Sequence, residues 1–193
     1  RDLHLSIRRQ RQMCIRDSCS SAHYGYKYIH KRDFMDLSKA KMDNAIDAKI
    51  LDNKLRGLKW ISCLKPDDPK KEISQLLEAI EIINNDKRNK SIITDYQFIS
   101  VLLSSYDYSP SKVWHSGATY PNKGNKYFKN YKSFFIKKLK ENDIKVIYAI
   151  KPFYVDDIDT ILKSIPNKDC IENTELTNIL SMYIINSCAY IDY

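Results

Sequence analysis

The sequence predicts an α/β fold, a parallel sheet of three to four strands with helices on both faces. Three observations lead there. Strand-length apolar runs alternate with stretches of helical spacing. The clearest helical face, Ile73, Leu76, Leu77, Ile80 and Ile83, lies between two strand-like runs. The strongest apolar run, Ile144 to Ile150, follows a second helical stretch, as parallel crossovers require.

The elements follow in order. Asp43 to Leu55 places Ile46, Ile50 and Leu51 at helical spacing, and Gly57 ends it. Leu58 to Cys63 alternates apolar and polar residues, as a first strand would. Pro66-Asp67-Asp68-Pro69 makes a turn, with Asp68 as N-cap and Pro69 at the first position of the long helix. Asn84-Asn85-Asp86 stops that helix. Ser91 to Thr94 is a short strand, and Phe98 to Leu103 a short, mostly buried helix.

Ser104 to Lys123 reads as a long loop. Asn125 then caps a helix whose wide aromatic face is Tyr127, Phe128, Tyr131, Phe134, Phe135 and Leu139. Lysines 126, 129, 137 and 140 sit opposite. Asp156 to Ile165 and Thr174 to Ile185 read as further helices, with Asp169-Cys170-Ile171 as a last short strand. The unit resembles a small Rossmann-like domain without its glycine signature. Neither G-x-G-x-x-G nor the P-loop pattern is present, so no cofactor is expected.

Composition divides the chain into three stretches. Residues 1–18 read as a sequencing-adapter artefact, because Gln12 to Ser18 back-translates to a transposase mosaic-end oligonucleotide. Arginine dominates that leader and lysine the rest. Residues 19–57 form a connecting segment with a short helix, and residues 58–193 the α/β domain. Position 1 is Arg, so the chain reads as a fragment. Without the leader's five Arg and two Asp, Lys+Arg falls from 32 to 27 and Asp+Glu from 24 to 22. The net charge drops from +8 to +5, ordinary for a soluble domain. No run reaches the roughly 18 apolar residues of a membrane span.

Outside the leader the cysteines are Cys19, Cys63, Cys170 and Cys188. None has C-x-x-C spacing, so no zinc site is expected. They read as small buried hydrophobes, with an oxidised pair expected only outside the cytoplasm.

Chemistry-bearing candidates are few. Thr94-Asp95-Tyr96 follows a strand, where open parallel sheets bind ligands. The plainer role for Asp95 is to cap a helix beginning at Tyr96. Trp114, His115 and Tyr120 mark an aromatic loop suited to a sugar or a partner surface. The plainer roles there are a core plug for Trp114 and a solvated His115. Asp156, Asp157 and Asp159 suit a helix N-terminus better than a metal. The lysine face lacks the exposed aromatics of a single-strand binder, so nucleic acid is not expected as a partner.

Several strings carry a resemblance. They are Lys31-Arg32-Asp33-Phe34-Met35-Asp36-Leu37, Gly57-Leu58-Lys59-Trp60-Ile61 and Thr94-Asp95-Tyr96-Gln97-Phe98-Ile99. Tyr120-Pro121, Gly124-Asn125-Lys126-Tyr127 and Tyr131-Lys132-Ser133-Phe134-Phe135 belong with them. Over residues 31 to 151 the chain resembles the C-terminal soluble region of bacterial polytopic membrane glycosyltransferases of the dolichyl-phosphate-mannose protein mannosyltransferase type. The resemblance implies that the catalytic carboxylates lie upstream, near membrane spans that this chain lacks. It implies a non-catalytic accessory domain on the periplasmic side of a bacterial inner membrane. Its partners would be the membrane-embedded remainder of the parent protein and a glycan or lipid-linked sugar. Two other readings are a self-sufficient α/β enzyme with a site near Asp95 and Trp114, and a basic nucleic-acid-binding domain.

Overall fold

A computed structural model describes residues 17–30, 40–62, 65–96, 98–111, 121, 124–151, 162, 165 and 167–190. The chain divides into two units, Arg1–Ala48 with Gly57–Lys70, and Lys49–Arg56 with Lys71–Tyr193.

In the first unit Ile46–Asp47 (β1) pairs antiparallel with Lys59–Trp60 (β2), Ile46 opposite Trp60. The Ala48 N–H extends this ladder to the Leu58 carbonyl at 2.9 Å. Lys41 and Asp67 form an exposed ion pair, and Asn44 Nδ2 donates to the Pro66 carbonyl at 2.8 Å. Two expectations are corrected here. Among the described residues the strand expected at Leu58 to Cys63 is Lys59–Trp60, which pairs with β1 in a separate two-stranded sheet. The helix expected from Asp43 to Leu55 is replaced, along the chain, by β1 and short 3₁₀ turns at Met42–Asn44, Ala48–Ile50 and Asn53–Leu55. Local competition explains part of this. Asp52 uses its own carboxylate to accept the Lys54 N–H at 2.7 Å, which favours a turn over a continued helix. Gly57, at φ +87°, then takes the left-handed turn that a side chain would strain.

The second unit holds a four-stranded sheet. Its strands are Lys90–Thr94 (β3), Val146–Ile150 (β4), Ile171–Glu175 (β5) and Leu180–Ile185 (β6). Their spatial order is β3-β4-β6-β5. Only β3 and β4 run parallel, with Ile92 opposite Tyr148; β4–β6 and β6–β5 are antiparallel. The sheet is therefore mixed, not the parallel sheet expected.

The difference comes from the C-terminal stretch. Thr174 to Ile185 was expected to be a helix. It is instead the end of β5, the turn and β6 of a hairpin. Thr177 Oγ1 accepts the N–H groups of Ile179 (3.3 Å) and Leu180 (3.1 Å), and the Leu176 N–H bonds the Leu180 carbonyl. A short apolar run fits either period, and pairing with β4 selects the strand. The expected last strand at Asp169–Ile171 shifts to β5, after a 3₁₀ turn at Lys168–Cys170.

Among the described residues Pro69–Asn85 (α1), Ile99–Leu102 (α2) and Phe128–Glu141 (α3) are helices beside the sheet. On one sheet face Ile93, Ile147, Ala149 and Ile185 form a core with Phe135 and Leu139 of α3. On the other, Lys90 and Tyr148 reach the C-terminal turn of α1. The buried strip of α1 is Ile73, Leu76, Ala79, Ile80 and Ile83, whereas Leu77 is 38% exposed. The α3 helix starts at Phe128, not Asn125, whose side chain instead accepts the Tyr127 N–H at 2.9 Å. Asp143 ends α3 in the left-handed region (φ 49°), and the Ile144 N–H returns to the Leu139 carbonyl at 2.9 Å.

Position 106–111 belongs to the expected loop, yet it protects the β3 edge. The Tyr108 N–H bonds the Lys90 carbonyl at 2.9 Å, and Ser109 Oγ donates to the Ile92 carbonyl at 2.8 Å. At the far edge Cys170 and Cys188 form a disulfide across the open end of the β5–β6 hairpin, with Cα atoms 5.8 Å apart. This corrects the reading of both as free hydrophobes. Their separation of 18 in sequence carried no such signal, because hairpin pairing alone brings them together. Cys19 is free and exposed. The helix expected over Asp156 to Ile165, and Cys63, lie outside the described residues apart from Leu162 and Ile165, both buried in the core.

Candidate functional site

The parallel pair β3–β4 ends at Thr94 and Ile150, and its C-terminal edge is where an α/β sheet places a ligand. Asp95 and Tyr96 stand there, both half-buried. Tyr96 donates its hydroxyl hydrogen to Glu72 Oε1 at 2.6 Å. Glu72 lies in the first turn of α1 and is buried. Burial first, then the Glu72 hydrogen bond and the charges of Glu72 and Asp95, push the Tyr96 phenol well above its ordinary range. Tyr96 is thus held as a neutral donor to Glu72, not as a phenolate.

Sequence reasoning missed Glu72. Its signal was its place at the head of the strip Leu76, Ala79 and Ile83, all at 0% exposure. A charged residue at that spacing has to find a partner inside. The expected Asp95 cap is corrected. The helix begins at Ile99, its N-cap Phe98 makes no side-chain cap bond, and Thr94 Oγ1 accepts the Tyr96 N–H at 3.1 Å. Of the other candidates, Trp114, His115 and Tyr120 lie outside the described residues, as do Asp156, Asp157 and Asp159.

A second polar group occupies the opposite end of the same strands. Asp86, just past α1, accepts from Arg88 Nε (3.0 Å), Arg88 Nη2 (2.7 Å), the Arg88 N–H (2.9 Å) and the Tyr148 hydroxyl (2.6 Å). Burial would raise the Asp86 carboxyl. The Arg88 and Tyr148 hydrogen bonds outweigh it and hold the group at about 2. Tyr148 is pushed up, by burial first and by Asp86 next. Lys90, 1% exposed, donates to the carbonyls of Ile83 (2.9 Å) and Asp86 (2.5 Å) and to Ser105 Oγ (2.9 Å). Its ammonium satisfies one late carbonyl of α1 and that of the residue just past it, and complements the helix dipole there. Burial lowers its pKa, against the pull of Asp86. The sequence showed Asn84-Asn85-Asp86 only as a helix stop.

Among the described residues no group of three His, Cys, Asp or Glu side chains gathers to hold a metal. No helix among them is long and apolar enough to cross a membrane. No protein-family model, curated protein or solved structure matches the chain.

Proposed function

We propose that this chain is a non-catalytic α/β accessory domain, the C-terminal fragment of a membrane-bound glycosyltransferase-like protein, working outside the cytoplasm. One observation carries the non-catalytic part. The groups with the largest resolved shifts move away from neutrality: Asp86 falls to about 2, and Tyr96 and Tyr148 rise. A general acid or base needs the reverse, a pKa near the working pH. Each of these groups is also spent on bracing, Tyr96 on α1 and Tyr148 on the turn that follows it.

The Cys170–Cys188 disulfide supports the compartment, since such bonds persist in oxidising surroundings. The glycosyltransferase link rests on the sequence strings above. In that setting the ligand-binding candidates for a glycan or a lipid-linked sugar are Asp95, Tyr96, Trp114, His115 and Tyr120, and the membrane-embedded remainder would carry out transfer.

The test pairs two measurements. The purified chain is incubated with a polyprenyl-phosphate sugar donor and an acceptor peptide, and no transfer is expected; robust transfer overturns the reading. Thiol labelling of the chain expressed in intact bacteria should find Cys170 and Cys188 protected until a reductant is added. Immediate labelling of both would place the chain in a reducing compartment instead.

A further inference from the structure

The α3 helix has an open face that its expected role as a wholly aromatic core helix did not foresee. Phe128, Phe135, Ile136 and Leu139 are buried, but Tyr127 is 57% and Phe134 43% exposed. These two rings lie seven residues apart, two turns along one side of the helix. Lys126, Lys137, Lys138 and Lys140 flank them, while Lys132 turns over the Phe128 ring. From Lys126 to Glu141 there are six lysines (126, 129, 132, 137, 138 and 140) and one acid, Glu141. That net charge of +5 sits within 16 residues of a chain whose total is +8.

Glu141 is engaged by Lys138 at 2.8 Å and Lys137 at 3.7 Å, so it offsets about one of these charges and leaves an excess of lysine. Lys126 lies 4.7 Å from the Tyr127 ring centre and Lys138 6.0 Å from that of Phe134. Cations are thus held level with the rings. An open depression of about 510 Å³ lies on this face, lined among the described residues by Ser133, Phe134, Lys137, Lys140 and Glu141.

We infer that this face of α3 docks on the surface of an anionic phospholipid bilayer. Two features select that occupant. Lysines with long apolar stems, level with exposed rings, match an interface where carbon lies below and phosphate above. The clustered charge complements an anionic leaflet. A single-stranded nucleic acid would satisfy the same charges, but the disulfide belongs to a compartment that nucleic acid does not share. The inference takes only that compartment from the function proposed above.

The test is co-sedimentation of the oxidised 193-residue chain with vesicles. One set is phosphatidylcholine alone, and the other an equal mixture with phosphatidylglycerol. Binding is expected to the mixed vesicles and to be at least tenfold weaker on the neutral ones. K137E/K140E should lose at least tenfold and F134A several-fold, while K59E/K87E, with the same change in charge elsewhere, should keep its binding. All these positions are exposed, and unchanged circular dichroism checks folding. Equal binding to both vesicle types, no binding, or equal loss in K59E/K87E overturns the inference. So does tighter binding to an oligothymidylate at the same salt. None of these outcomes bears on sugar transfer or cysteine protection, so the two proposals fail separately.

Discussion

Tyr148, in the middle of β4, donates its hydroxyl hydrogen to Asp86 at 2.6 Å and so ties the sheet to the end of the long helix α1. Arg88 holds the same carboxylate from the other side, and Met182, opposite Tyr148 on β6, lies 3.4 Å from Arg88 Nη2. One carboxylate thus joins α1, β4 and the approach to β3.

This relationship predicts an acid-sensitive fold. The folded pKa of Asp86 is depressed from 3.8 to about 2. Its contribution is therefore complete above the unfolded value and is lost as pH falls through the folded one. The shift corresponds to about 2 kcal/mol at neutral pH. In urea titrations D86N should be less stable than the parent by roughly that amount at pH 7. The gap should narrow steadily between about pH 5 and pH 2. A gap independent of pH would show that Asp86 acts through packing alone.

At the other end of the strands, Y96F should cost about 1–3 kcal/mol, because buried Glu72 loses its hydroxyl donor. The double variant Y96F/E72Q should cost less than the sum of its parts, with a coupling of about 1 kcal/mol or more in equilibrium unfolding. Strict additivity would mean that the 2.6 Å contact contributes nothing.

Reduction of Cys170–Cys188, or the C170A/C188A variant, should lower stability by about 3 kcal/mol, the chain-entropy value for a loop of this length. The measurement is the urea midpoint with and without dithiothreitol. Since the bond closes the β5–β6 hairpin, protection from hydrogen exchange should fall there before it falls in β3 and β4.

The two neighbouring phenylalanines of α3 should behave very differently. F135A removes a ring at 0% exposure and should cost about 3–5 kcal/mol. F134A removes one that is 43% exposed and should cost less than about 1 kcal/mol. Comparable losses in thermal unfolding would mean that the helix is rotated from the orientation described.

Where local pattern and burial agreed, the sequence was sufficient. Proline at the start of α1, its periodic strip ending at Asn84-Asn85, a strand at Ser91–Thr94 and one within Ile144–Ile150, observed at Lys90–Thr94 and Val146–Ile150, all follow from residues within one element. The candidate site was half legible. Asp95 and Tyr96 were visible as residues after a strand, whereas Glu72, 24 positions from Tyr96, had no local mark as its partner.

The tertiary structure decided everything that depended on a distant partner. Leu180–Ile185 fits a helix or a strand by period, and only the free row of hydrogen-bonding groups on β4 makes it a strand. That pairing reverses the chain into a hairpin, turns an expected parallel sheet into a mixed one and brings Cys170 to Cys188. The aromatics of α3 likewise share one chemistry in sequence, yet the sheet has room for one narrow stripe, so Phe135 is buried and Phe134 is not. Propensity acts over a few neighbouring residues, whereas pairing and burial are settled by whatever the rest of the chain brings alongside.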